Sequence, residues 1–93
     1  MTRTVIRTPQ FKRDFKLVMR STHRDQIDER FLEILNLLVR DMPLPGVYRD
    51  HKLRGQYKYC RDCHIRPDLV FIYRKRDSDR LELVRIGSHA QLF

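Results

Sequence analysis

The chain has 93 residues, with 20 lysines and arginines against 12 acids, a net charge of +8 and a pI near 10.1. That length bounds it to a single domain, 1–93, able to bury roughly 60–65% of its unfolded surface without disulfides, and 41% hydrophobic with 34% charged residues excludes a disordered chain. No run is long enough to cross a bilayer and the first seven residues lack a signal-peptide pattern, so the expectation is a cytoplasmic protein with no membrane contact, reduced cysteines and polyanions or acidic proteins as partners.

Val5-Ile6 predicts a short opening strand. Thr8 reads as an N-cap and Pro9 as the first helical residue. Phe11, Phe15 and Val18 then form an apolar stripe at helical spacing. Lys12, Lys16 and Arg20 form a basic ridge on another face, either a solvated surface or a contact for phosphates. A turn over 21–24 leads to a second helix predicted over 25–40, where Ile27, Phe31, Ile34, Leu35 and Leu38 repeat at 3.6-residue spacing. Asp25, Asp28 and Glu29 suit its N-terminal end and Arg40 its C-terminal end. Pro43 and Pro45 stop it.

From Tyr57 the period changes to two. Strands are predicted over 57–65 and 69–74, joined at Arg66-Pro67-Asp68, and over 81–86 after a polar turn. The fold class is α+β: an N-terminal helical hairpin packed on one face of a small, mainly antiparallel twisted sheet, with the other face polar or occupied.

Strand alternation points Cys60, Asp62 and His64 one way and Arg61 and Cys63 the other. Asp62 has two readings, orienting His64 or pairing with an arginine. If the strands are adjacent, His64, Asp68, Arg85 and His89 gather at one end of the sheet. His51 lies in the loop before the first of them. Imidazoles titrate near neutral pH and serve as acid or base. Arginine offers a fixed fork for phosphate oxygens, and the last residue, Phe93, can stack on a base for ~1–3 kcal/mol. Such a set can cut RNA without a metal or cofactor, by driving the 2′-hydroxyl onto the neighbouring phosphorus. Each piece also has a plainer reading: His23 as a surface residue, Arg85 as a cross-strand ion-pair partner, Phe93 as a core plug. The run Cys60-Arg61-Asp62-Cys63-His64 matches a haem-attachment pattern. Thiols three apart on a strand face opposite ways, so haem, zinc and redox roles are rejected in favour of two ordinary small side chains.

With these residues in place, the chain resembles the YafQ branch of the RelE-type bacterial toxins. The resemblance rests on Leu44-Pro45-Gly46-Val47-Tyr48-Arg49-Asp50-His51, Leu53-Arg54-Gly55, Tyr59-Cys60-Arg61-Asp62-Cys63-His64, Pro67-Asp68 and Arg85-Ile86-Gly87-Ser88-His89-Ala90-Gln91-Leu92-Phe93. It implies ribosome-dependent cleavage of mRNA in the A site, leaving a 2′,3′-cyclic phosphate. It implies His51, His64, Asp68, Arg85 and His89 as catalytic residues and Phe93, Arg61, Arg54 and Lys52 as substrate contacts. His89 is expected as general acid, Arg85 as the stabiliser of phosphorane charge, and Asp68 with His51 or His64 as the base. It further implies a ribbon-helix-helix antitoxin resembling DinJ or RelB, the 70S ribosome and mRNA as partners, and operator DNA bound only through the antitoxin complex. Cys60 separates Tyr59 from Arg61 where the family pattern has them adjacent, and Leu69 stands where a family member carries tryptophan. Two other classes remain open: a non-enzymatic inhibitor of the ParE type, acting on DNA gyrase, and a plain nucleic-acid-binding module.

Overall fold

Thr8 is the joint on which the N-terminal layer turns. In the computed structural model, which describes residues 2–93, its hydroxyl accepts from Phe11 N and donates to Val84 O at 3.0 Å, so one side chain caps the first helix and ties it to a strand. The elements run β1 (Thr4–Arg7), α1 (Pro9–Met19), a 3-10 turn (Thr22–Gln26), α2 (Glu29–Val39), a second 3-10 turn (Gly46–Tyr48), β2 (His51–Lys52), a third (Gly55–Tyr57), β3 (Arg61–Arg66), β4 (Leu69–Arg76), β5 (Arg80–Gly87) and α3 (His89–Leu92). The sheet order is β1-β5-β4-β3-β2. Only β1 pairs in parallel, with β5; the other pairs are antiparallel. None of the described helices is long and apolar enough to cross a membrane.

The expected α+β hairpin-on-sheet architecture is present, with three local differences. The second helix starts at Glu29, not at Asp25. Asp28 accepts from Arg30 N as the true N-cap, and the acid-rich stretch before it forms the tighter 3-10 turn. The strand expected from Tyr57 starts at Arg61, because residues 55–57 first close a 3-10 turn around Gly55, whose φ is 69°. His51-Lys52 adds an edge strand, and His89–Leu92 a short helix, that local periodicity does not announce.

Alternation along the strands splits the apolar residues into two clusters. Cys63, Ile65, Leu69, Phe71, Tyr73, Leu81, Leu83 and Ile86 face Phe11, Val18, Phe31, Ile34 and Leu38 of the helices. Phe71 is the hub, with its ring edge-on to Phe31 at 5.3 Å and to Phe11 at 6.1 Å. On the other face a smaller cluster of Cys60, Val70, Ile72 and Leu92 is bordered by Leu53, Tyr57 and Val84. The C-terminal helix and the 53–57 loop thus cover part of the face that the helical hairpin leaves open. Cys60 and Cys63 fall in opposite clusters, both reduced, with burial pushing both thiols up. They behave as packing residues.

Candidate active site

Sheet register sets the site. His51 pairs with Asp62, Asp62 with Ile72, and Ile72 with Arg85, so these four form one row across the sheet. The next row on the same face is His64, Val70 and Gly87, with His89 two residues on. The strands of His64 and Arg85 are not adjacent, so the condition set for their gathering is not met directly. β4 lies between them and supplies Val70 and Ile72 as an apolar floor. Two inter-strand steps make that floor about 9.5 Å wide, room for a nucleotide between the histidine side and the arginine side.

Arg85 reaches this face through a bulge. Tyr73 pairs with Leu83 and Ile72 with Arg85, so Val84 is an extra residue on β5. Val84 packs on the Cys60–Val70–Ile72–Leu92 cluster, and Arg85 beside it keeps the same side, which strict alternation would forbid. Its guanidinium is gripped by Asp14 of α1: Nε donates to Oδ2 and Nη2 to Oδ1, each at 2.9 Å. Asp14 Oδ2 also accepts from Ile86 N, a strand-edge amide beyond the end of β1. Burial opposes the Asp14 charge, but the bonds from Arg85, Gln10 and Ile86 outweigh it and hold the carboxyl below its ordinary value. The bond to Asp14 first, and then that to Tyr57, keep Arg85 above the usual guanidinium range. Arg85 is therefore an ion-pair partner, and its partner comes from a helix, not from across the sheet. Sequence reasoning missed Asp14. Its signal was position: it sits at helical spacing within the Phe11–Phe15–Val18 stripe, an acid on the buried face.

The third Arg85 contact is Nη1 to Tyr57 Oη at 3.4 Å. Tyr57 stands edge-on to Phe93 at 6.2 Å, and Phe93 lies 4.9 Å from the His89 ring. Phe93 is 52% exposed, so it is not a core plug. Its amide donates to His89 O at 2.9 Å, which closes the chain end over the site. The turn into α3 is held by a capping box between Ser88 and Gln91. A side chain at Gly87 would meet Gln91 Oε1 at 2.8 Å and shift the glutamine side chain of that box.

On the opposite side, His51 and His64 have ring centroids 6.4 Å apart. His51 Nε2 lies 3.0 Å from Asp62 Oδ1, which corrects both expected roles of Asp62. The contact is close but not aligned, and Oδ1 forms no hydrogen bond. Arg49 O, which can only accept, binds His51 Nδ1 at 2.8 Å, so Nδ1 carries a hydrogen. Burial pushes the Asp62 carboxyl up, while His51, His64 and His89 pull it down. Of the three imidazoles, His51 is the one in contact with this buried acid. Replacing Asp62 by Asn is a direct probe. The folded carboxyl titrates above 3.8, so ionising it penalises the fold at neutral pH and not at pH values below 3.8. Asp62→Asn is expected to melt no lower than the parent at pH 7, as thermal denaturation would read it.

The remaining expected residues lie elsewhere. Asp68 contacts His23 Nδ1 at 3.5 Å; His23 also bonds Gln26, so it is a structural link between turns, not a free surface ring. Arg61 is on the helix side, 3.1 Å from Asp50, which also accepts from the Tyr73 hydroxyl. Lys52, its register partner, shares that side. Arg54 is exposed at the start of the turn that carries Tyr57. Leu69 is fully buried in the helix-side core and cannot meet a base.

A mainly antiparallel sheet with a helical hairpin on one face and this cationic, histidine-bearing row on the other is the RelE-like toxin scaffold. The crystal structure of YafQ from Escherichia coli BL21(DE3) shares it with a TM-score of 0.83 at 35% identity, covering 98% of both chains. The toxin of the E. coli DinJ–YafQ toxin–antitoxin complex gives 0.83 at 35% identity over 100% of this chain and 99% of that one. The mRNA interferase toxin YafQ of E. coli K12 is 40% identical over 84 residues, 90% of this chain and 88% of its own. Residues 3–93 match the family described as the bacterial toxin of type II toxin–antitoxin system, YafQ. The chain belongs to the YafQ family of type II toxins.

Proposed function

We propose that this toxin is a metal-independent endoribonuclease that cuts mRNA in the ribosomal A site. The observation that carries this reading is the placement of His51, His64 and His89 in two adjacent rows of one sheet face, across an apolar floor from the clamped Arg85. A binding surface needs cations but has no special use for three imidazoles, which exchange protons near neutral pH, on one face. The RNA 2′-oxygen loses its proton to the His51–His64 side and attacks phosphorus. Asp62 offsets the charge that His51 gains. Arg85 holds the phosphorane oxygens, and its fork is already oriented by Asp14, so little ordering remains at the transition state. His89 delivers a proton to the departing 5′-oxygen. Phe93, half-exposed beside His89, stacks on the base next to the cut. Each proton transfer contributes roughly 10²–10⁴ in rate. Asp68, engaged with His23, takes a place at the rim and not in the proton path.

The toxin acts in the cytoplasm and is held inactive by an antitoxin resembling DinJ, the partner of the E. coli relative. Operator DNA is reached through that complex. Primer extension on an mRNA translated in the presence of the protein tests the reading: it predicts breaks in codon register with 5′-hydroxyl ends. Intact mRNA together with inhibited DNA supercoiling would favour the ParE type of activity instead.

A further inference from the structure

We propose that the pocket beside His64 is a second phosphate subsite, which grips the RNA backbone beyond the linkage being cut. The inference rests on the ribonuclease reading and extends it outside the catalytic row. The pocket, about 410 Å³, is lined by Arg30, Val47, Arg49, His64, Arg66 and Pro67. Its size fits one nucleotide unit.

Two of its three guanidiniums are fixed by the protein. Arg66 pairs with Asp28. Arg30 lies over the Tyr48 ring at 6.0 Å and donates to Ile65 O at 3.4 Å. Arg49 differs. Its backbone is held in the left-handed region at φ 51°, with its carbonyl on His51, while its guanidinium has no hydrogen-bond or ion-pair partner among the described residues. One acid against three guanidiniums leaves the pocket cationic, and arginine forks match phosphate oxygens. Val47, 63% exposed, and Pro67 supply an apolar wall for a ribose or base.

Continuity with the active site selects RNA over an acidic peptide. His64 belongs to both the catalytic face and the pocket wall, and its ring is 6.4 Å from that of His51. The Arg49 backbone that orients His51 carries the unpaired guanidinium on the other side. A strand whose scissile linkage lies between His51 and Arg85 therefore continues past His64 into the arginines.

The test is binding of a fluorescent single-stranded 2′-O-methyl RNA hexamer, which cannot be cut, to the purified toxin over a salt series. For single strands the slope of log K against log salt changes by about 0.7 per phosphate contact. Arg49→Gln is expected to lower the slope by about 0.7 and weaken binding, with Arg49→Lys restoring the slope. Arg40→Gln, at an exposed cation ending α2, is expected to leave it near the parental value. Arg30→Gln provides an independent second variant from the same pocket. A parental slope in both Arg49→Gln and Arg30→Gln overturns the proposal. So does an absence of RNA binding by the parent at low salt, or a loss confined to a glutamate-rich peptide. Cleavage on translating ribosomes is scored separately: slopes that change without cleavage would leave the subsite standing and remove the nuclease reading.

Discussion

His89→Gln is expected to lower the rate of mRNA cleavage by roughly 10²–10⁴ and to abolish growth arrest, with no loss of fold. His89 is exposed at the first position of α3. That helix is held by the Ser88–Gln91 capping box and by Leu92, 6% exposed, so removing the imidazole leaves the supporting contacts in place. The lost function is proton delivery to the departing oxygen, and one substrate isolates it. A linkage with sulfur in place of the 5′-oxygen leaves without a proton. The variant should cut that linkage about as fast as the parent does, while failing on ordinary RNA. An equal defect on both substrates would mean that His89 positions the strand and donates no proton. Phe93 could then be the affected partner, through its ring contact with His89 at 4.9 Å.

Asp14→Asn should produce the largest loss of stability among single substitutions near the site. Asp14 is 5% exposed and serves four donors: Arg85 Nε, Arg85 Nη2, Gln10 Nε2 and Ile86 N. Asparagine keeps one acceptor oxygen and turns an amide toward a guanidinium that also only donates. Removing one partner of a buried pair costs about 3–5 kcal/mol, and the lower end applies because Arg85 keeps part of its surface in water. In a domain of this size about 3 kcal/mol lowers Tm by on the order of 10–20 °C.

The pH dependence is a second signature. The folded carboxyl titrates below its ordinary 3.8, so its contribution is complete above that value and lost as pH falls through the folded one. The gap between parent and variant should therefore be full at pH 6 and close on acidification; a gap independent of pH would mean the defect is packing alone. Below its melting temperature the variant should also cleave more slowly, because Arg85 is no longer held toward the phosphorane. Asp14 acts through Arg85, so it is a positioning residue.

Much of this molecule is written locally. The Thr8-Pro9 helix start, the Phe31–Ile34–Leu38 stripe and the alternation of β4 and β5 each follow from backbone and burial rules acting within a few residues. Opposed faces for Cys60 and Cys63 follow in the same way. Where two local signals compete, the reading slips. Acids at 25 and 28 both suit a helix start, and the side-chain bond from Asp28 to Arg30 N decided between them. The apolar alternation near Tyr57 hid a turn, because Tyr57 packs against the open-face cluster without lying in a strand.

The residue types for the chemistry, and the order in which the chain supplies them, were legible from the polypeptide: three imidazoles, a guanidinium and a terminal aromatic ring, set beside turns and strand ends. Their partners were not. Asp62 serves His51 because β2 pairs with β3 in one register; Arg85 turns to the open face because β5 carries an extra residue; Asp14 meets Arg85 across 71 positions because α1 covers the edge that β1 leaves bare. Arg61, equally basic and equally close in sequence, ended on the other side of the sheet. Side-chain chemistry is a property of each residue, whereas register, bulges and edge coverage arise from long-range strand pairing, where a shift of one residue reverses every face.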